Sequence, residues 1–340
     1  MQKHIITIDG GTTNTRAYLW DAAGTLVAAQ QRPVGVRDTA ADQHDRRLRA
    51  AVRECLDGLL AESALGYADV GEVVASGMIT SELGLLEVPH LIAPVSADDL
   101  AANLQTARIG DVCPLPIRFI PGVRNSNSPV TREGFEAMDM MRGEETETVA
   151  LLELLQEAGS WLIILPGSHS KYVATDDARR ITGCLTSLTG ELLAAITGHT
   201  LLTEAVEGRI PDEAEYDREA MLLGFETAGR VGLGRACFSA RILNRLGGED
   251  RRAVGSFILG ACLASDAEAL RGSSVLRGRR WDGAVVAGRG ILCQAMADML
   301  RHTALFPEVR ACGPGLPLSG LGARAILERA KGARHSVGRD

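Results

Sequence analysis

The chain opens on a rapid alternation of short apolar runs and polar turns. Residues 5–8 (Ile-Ile-Thr-Ile) are followed by a glycine-bearing polar stretch over 9–13. A second run lies at 16–20, a turn at Ala23-Gly24 and a third run at 26–31. This pattern predicts strand, turn, strand, turn, strand. It differs from a dinucleotide-binding unit, which passes from its first strand through a glycine turn directly into a helix. Over 45–62 the period changes, and Leu48, Ala51, Val52, Cys55, Leu59 and Leu60 fall on one helical face. Apolar runs at 72–75 and 116–120 predict two more strands, ending in Ser76-Gly77-Met78 and Pro121-Gly122. A polar loop over 124–136 follows, then a helix that opens at 140–146 and runs to 157.

The second half restarts the pattern. A buried strand is predicted at 161–165, a polar turn at 166–171, a returning strand at 172–175, and a further strand at 283–287 running into Gly288-Arg289-Gly290. Helices are expected near 191–197, 250–270, 290–303 and 321–330. Gly229-Arg230-Val231-Gly232-Leu233-Gly234 looks like a nucleotide loop, but no strand precedes it, and it reads as a flexible connection. Alternating strands and helices argue for an α/β fold. Two domains are expected, 1–150 joined by a C-terminal helix over 318–335, and 151–317, with the boundary between 143 and 160.

Composition narrows the class. The 340 residues are 46% hydrophobic but only 4% aromatic, so two cores are affordable and must be aliphatic. A net charge of −7 gives no general attraction to nucleic acid or anionic membrane, so an anionic ligand needs local positive charge. The seven cysteines are scattered and never spaced C-x-x-C, which predicts free thiols in a reducing compartment and no zinc site. The N-terminal apolar run is too short for a signal peptide, and no 18-residue apolar stretch is expected. These readings predict a cytoplasmic chain with no nucleic-acid or membrane partner; a homodimer is left open.

Two loops carry the chemistry. In Asp9-Gly10-Gly11-Thr12-Thr13-Asn14-Thr15-Arg16, the glycines let a phosphate approach, and their amides with the threonine hydroxyls can donate to its oxygens. Asp9, at a strand end, is placed to hold magnesium directly or through water. Pro166-Gly167-Ser168-His169-Ser170-Lys171 repeats the logic, with two hydroxyls and a cation that suits phosphate. Two such loops can grip a polyphosphate from opposing sides. In Met141-Arg142-Gly143-Glu144-Glu145-Thr146, one carboxylate can accept a proton from an attacking hydroxyl while Arg142 holds an anion. The competing reading is a helix start whose acids answer the dipole. Gly288, Arg289 and Gly290, between a strand and a helix, can seat an adenosine moiety.

The order of these blocks resembles the actin–hexokinase superfamily of ATPases, whose first phosphate pattern D-x-G-x-T-x-x-R falls on Asp9, Gly11, Thr13 and Arg16. More narrowly, the sequence resembles the 2-dehydro-3-deoxygalactonokinase family. The residues that carry this are 9–16, Met141 to Thr146, Pro166 to Lys171, Thr189-Gly190-Glu191-Leu192 and Val286-Ala287-Gly288. Gly10 stands where that family usually has an aromatic, and Tyr172 where Trp is frequent. The resemblance implies two ribonuclease-H-like domains around a cleft, ATP and Mg2+ as cofactors, and a small sugar acid as acceptor. It implies transfer of the γ-phosphoryl of ATP to the 6-hydroxyl of 2-dehydro-3-deoxygalactonate, a step of galactonate breakdown.

Motif order puts Glu144 at the catalytic base, with Glu145 and Asp139 as alternatives. It makes Arg142 a partner of the substrate carboxylate or the transferring phosphate, and Gly77, Met78 and Glu191 substrate-side residues. The phosphate-binding set is then Gly10, Gly11, Thr12, Thr13, Asn14, Arg16, Gly167, Ser168, His169, Ser170 and Lys171. Two other readings are a kinase of the same fold with another sugar or sugar acid, and a non-catalytic ATP-binding regulator. The regulator is disfavoured by the acid at Glu144 and by a start close to the first strand, which leaves no room for an N-terminal helix-turn-helix.

Overall fold

A computed structural model describes residues 3–313 and 315–337. The first half contains β1 (His4–Gly10), β2 (Thr15–Trp20), β3 (Leu26–Arg32), α1 (Val36–Asp42), α2 (Arg46–Glu62) and β4 (Val70–Gly77). It continues through β5 (Leu91–Ile92), α3 (Ala97–Ala102), β6 (Gln105–Ala107), β7 (Ile117–Phe119), β8 (Val123–Arg124), β9 (Met140–Met141) and α4 (Glu144–Leu155). The second half holds β10 (Trp161–Leu165), β11 (Ser170–Thr175), β12 (Ile181–Ser187), α5 (Thr189–His199), α6 (Arg218–Val231), α7 (Leu233–Arg245) and α8 (Arg251–Gly272). It ends with β13 (Gly283–Ala287), α9 (Ile291–Thr303), β14 (Val309–Cys312) and α10 (Leu318–Val337).

The two halves repeat one topology. The first sheet runs β3-β2-β1-β4-β7-β6 and the second β12-β11-β10-β13-β14. In each, three antiparallel strands at the start of the half adjoin strands parallel to the first. The innermost strands β1 and β10 are apolar almost throughout because both of their faces are covered. Helix α2 buries Leu48, Ala51, Val52, Cys55, Leu56, Leu59 and Leu60 against β2 and β3, as the period predicts. The last helix, α10, returns to pack on α4, β1 and β4 of the first half. A small third sheet, β5-β8-β9, stands beside the first.

Several expectations are corrected. The glycine-rich 229–234 segment is not a flexible connection: α6 and α7 run into each other there, and Gly232 alone turns the corner at φ 82°. Glycine there supplies a positive φ that most residues resist. An 18-residue apolar stretch does exist. Helix α8 is long and apolar enough to cross a membrane by length and composition, but 78% of that window is buried inside the protein. It is a core helix packed on α5, α6, α7 and α9. Helix α1, which has no apolar period, forms because its first amides find acceptors in the preceding loop: Val36 and Arg37 donate to Gly11 O and Thr12 O at 3.2 and 3.0 Å.

Candidate active site

The register of the first hairpin decides the geometry around Asp9. Asp9 lies opposite Arg16 across β1 and β2 and beside Ser76 of β4. The Arg16 guanidinium therefore reaches the Asp9 carboxylate at 3.3 Å, and the Ser319 hydroxyl donates to the same oxygen at 3.2 Å from α10. Burial pushes the Asp9 carboxyl above its ordinary range, against the pull of Arg16 and Ser319. Gly10, Gly77 and Gly143 bring the ends of β1 and β4 and the start of α4 together. A methyl on Gly77 would lie 2.8 Å from Gly10 O, and one on Gly143 3.3 Å from the Gly77 Cα. Gly77 and Gly143 also hold φ of 87° and 113°, so glycine is needed twice over.

A cavity of about 620 Å³ opens at this point between the two sheets. Asp9 and Arg16 line it from the first half, Leu165, Pro166, Gly288 and Arg289 from the second, and Ser319 from α10. Its size suits a drug-sized ligand. Glu147, which the sequence reading missed, also lines it. Burial, then the charges of Asp9 and Glu144, push the Glu147 carboxyl up to about 8. Asp9 and Glu147 share the cavity with the guanidiniums of Arg16 and Arg289. Among the described residues no group of three or more His, Cys, Asp or Glu could hold a metal. Asp9 would be the residue to hold magnesium, which is commonly bound through one or two carboxylates and completed by phosphates and water.

Beyond Asp9, the two loops differ from expectation. The Gly11 amide is used within its own turn, donating to Asn14 O at 2.8 Å. Thr12 and Thr13 are exposed, Thr13 accepts from the Asn14 amide at 2.8 Å, and Asn14 accepts from Gln31 at 3.0 Å. In the second loop Ser168 and His169 are exposed, whereas Ser170 and Lys171 are buried. Ser170 turns inward and accepts from the Gly167 amide at 3.5 Å. Lys171 is not a free cation on the loop, because it is the second residue of β11 and donates to Met140 O at 2.8 Å and to Thr186 Oγ1. None of residues 10–14, 167–171 or Gly290 lines the cavity; only the bases of the two bends do. Helix α5 supports the second bend, since the Gly190 and Glu191 amides donate to Ser168 O at 3.1 and 3.2 Å. Glu191 itself pairs with His169 at 2.9 Å, beside the second bend.

Glu144 and Glu145, adjacent in sequence, have different surroundings. Glu145 is fully buried, and both of its oxygens accept from the Gly143 amide, at 2.9 and 2.8 Å. That makes it a cap of its own helix. Burial and the charge of Glu144 push its carboxyl up to about 8. Glu144 keeps partial exposure, accepts from the Arg142 amide at 3.1 Å, and is raised by burial but pulled down by Lys171. Arg142 donates to Thr80 Oγ1 at 2.8 Å and to Val88 O at 2.7 Å, and touches His90 Nδ1 at 3.4 Å. Those contacts brace the segment after Gly77 and Met78, so the guanidinium is largely occupied by protein partners.

Comparison with known proteins now adds to this geometry. The sequence model described as 2-keto-3-deoxy-galactonokinase matches residues 9–314. The chain belongs to this family. A Rhizobium meliloti (strain 1021) protein named "Probable 2-dehydro-3-deoxygalactonokinase DgoK1" is 31% identical over 202 residues, which are 58% of this chain and 58% of that protein. A solved structure from Sinorhizobium meliloti, assigned provisionally as a 2-dehydro-3-deoxygalactonokinase, superposes with a TM-score of 0.74 at 26% identity, over 97% of this chain and 99% of that one. The activator of 2-hydroxyisocaproyl-CoA dehydratase from Clostridium difficile, solved with ADPNP, has a TM-score of 0.51 at 12% identity over 98% and 97% of the chains, and shares the fold.

Within this galactonokinase-family chain, spacing offered a signal for one residue that was missed. Glu147 lies three residues after Glu144, on the same helical face. Ser319 offered none: it meets Asp9 across 310 residues.

Proposed function

We propose that the protein transfers the γ-phosphoryl of ATP to the 6-hydroxyl of 2-dehydro-3-deoxy-D-galactonate and releases the 6-phosphate and ADP in galactonate breakdown. One observation carries the reading. In a chain of this family, a single cavity joins Asp9 and Arg16 at the base of the first bend to Pro166 at the base of the second and to Gly288 and Arg289 beyond it. ATP is assigned to this cavity, its adenosine toward Gly288, Arg289 and Gly290 and its phosphates toward Asp9 and Arg16. Asp9 would hold Mg2+, which neutralises charge on the phosphates. Domain closure, of 1–150 with 318–335 upon 151–317, would bring the exposed tips Thr12, Thr13, Ser168 and His169 onto the phosphates and exclude water. The protein is placed in the cytoplasm, in keeping with its seven free cysteines.

Glu144 is the general base in this reading. Its partial exposure lets it meet a substrate hydroxyl, whereas Glu145 is turned into its own helix start. A carboxylate raised by burial binds a proton more strongly than a solvated one, which suits it to accept the hydroxyl proton as the oxygen attacks. Arg142 holds the Thr80–Val88 side of the acceptor site in place. The test is steady-state ADP release with 2-dehydro-3-deoxygalactonate and its gluco epimer as acceptors, for wild type and Glu144→Gln. The galacto acid should turn over, with kcat for the variant lower by about 100-fold or more. Equal use of both epimers refutes the narrow substrate, and an undiminished kcat removes Glu144 as base.

A further inference from the structure

Lys171 is the feature of the second loop that the phosphate reading leaves unexplained. Its side chain is only 7% exposed. It pairs across the sheet with Thr186 of β12, the edge strand. The ammonium donates to Met140 O at 2.8 Å and to the Thr186 hydroxyl, and lies 3.7 Å from Asp139 Oδ1. Asp139 closes the ring by accepting from Thr186 N at 2.5 Å and from its hydroxyl at 2.9 Å. These contacts cross from the second sheet to the turn that leads through β9 into Glu144.

They do not stand alone. Asn125 accepts from Cys184 N at 2.7 Å and donates to Cys184 O at 2.8 Å, pairing with β12 as a neighbouring strand would. Val95 and Ile181 exchange two backbone bonds at 2.9 and 2.8 Å. The edge of the second sheet is thus stitched to the segments that flank the small third sheet. Lys171 is the cation in that seam, and a buried cation is retained only where partners satisfy it.

We propose that Lys171 is a positioning residue on the acceptor side of the reaction: it ties Thr186 to the 139–140 turn, which leads through β9 into Glu144, and so fixes where the base meets the acceptor hydroxyl. The proposal rests on Glu144 being the base in the reading above, and it replaces a phosphate contact for Lys171 by an electrostatic one. The charged and titratable groups around Glu144 are Lys171 from β11, Asp139 before β9, Arg142 just after β9, Glu145 and Glu147 on its own helix, and Cys184 from β12. Of the two cations, Lys171 is the one whose pull on the Glu144 carboxyl opposes burial, while the Arg142 guanidinium is taken up by Thr80 and Val88. Without it, Glu144 would hold its proton to higher pH and be a base over a narrower range.

The test uses the full chain as wild type, Lys171→Met, Lys171→Arg and Thr186→Val. ATP and 2-dehydro-3-deoxygalactonate are varied separately between pH 5 and 9. Lys171→Met should lower kcat by about 100-fold, move the acid limb of kcat to higher pH and leave KM for ATP within about twofold. Lys171→Arg should return the limb toward wild type, because the charge is kept. Thr186→Val, which cuts the tie but not the charge, should leave the limb in place. A large rise in KM for ATP with unchanged acceptor kinetics and an unmoved limb would make Lys171 a phosphate contact and overturn the proposal.

A second arm needs no turnover. Thermal unfolding of Lys171→Met, Glu144→Gln and the double variant at pH 8 should be non-additive, with Lys171→Met costing less stability once Glu144 is neutral. Additivity overturns the pairing. If wild type phosphorylates neither epimer, the substrate reading fails while this coupling is still decided.

Discussion

Replacing Glu147 by Gln tests the electrostatics of the cavity with one atom changed. In the folded chain its carboxyl is pushed up to about 8, by burial first and then by Asp9 and Glu144, against an ordinary value of 4.5. A folded-state value above the unfolded one means that the folded chain binds the proton more tightly. Its stabilising contribution is complete below about pH 4.5 and is lost as pH rises through about 8. At about 1.4 kcal/mol per unit, the full cost of charging the group on the folded chain is about 5 kcal/mol, and relaxation and water entry reduce it to about 2–4 kcal/mol. Gln mimics the protonated acid. The variant should therefore match wild type near pH 4.5, gain on it steadily, and exceed it by about 2–4 kcal/mol at pH 9. Urea unfolding across that range, without metal or nucleotide, reads the difference directly. Because Asp9 supplies part of the shift, Asp9→Asn should shrink the gain, and the two changes should not add. A stability difference that is flat with pH would refute a proton-holding Glu147.

Two further outcomes follow from close backbone approaches. Gly77→Ala should destabilise by about 1–3 kcal/mol, since its φ of 87° is strained for alanine and the methyl would sit 2.8 Å from Gly10 O; thermal melting measures it, and an unchanged Tm would refute the three-way glycine contact. Gly260→Ala, whose methyl would overlap Met221 O where α8 crosses α6, should cost at least about 2 kcal/mol, whereas Gly229→Ala on an open face of α6 should be neutral or slightly stabilising. Equal effects of those last two would mean that the α6–α8 crossing is looser than drawn.

What the sequence determined by itself was local and periodic. The alternation over 5–31 dictated the first hairpins, the helical face at 48–60 dictated α2, and hairpin register set Asp9 opposite Arg16. Helices α6 and α7 were illegible because two helices joined by one glycine carry the same composition as a loop. The tertiary structure alone decided which polar atoms remain free. The Gly11 amide, the Ser170 hydroxyl and the Lys171 ammonium match a phosphate-binding motif in sequence, yet each is engaged by a partner that a motif does not show. Ser319 and Glu147 join Asp9, and Asp139 and Thr186 take up Lys171, because two sheets and a C-terminal helix converge there. Residue types state what a side chain can do, and burial and neighbours settle which charge it carries and which partner it meets.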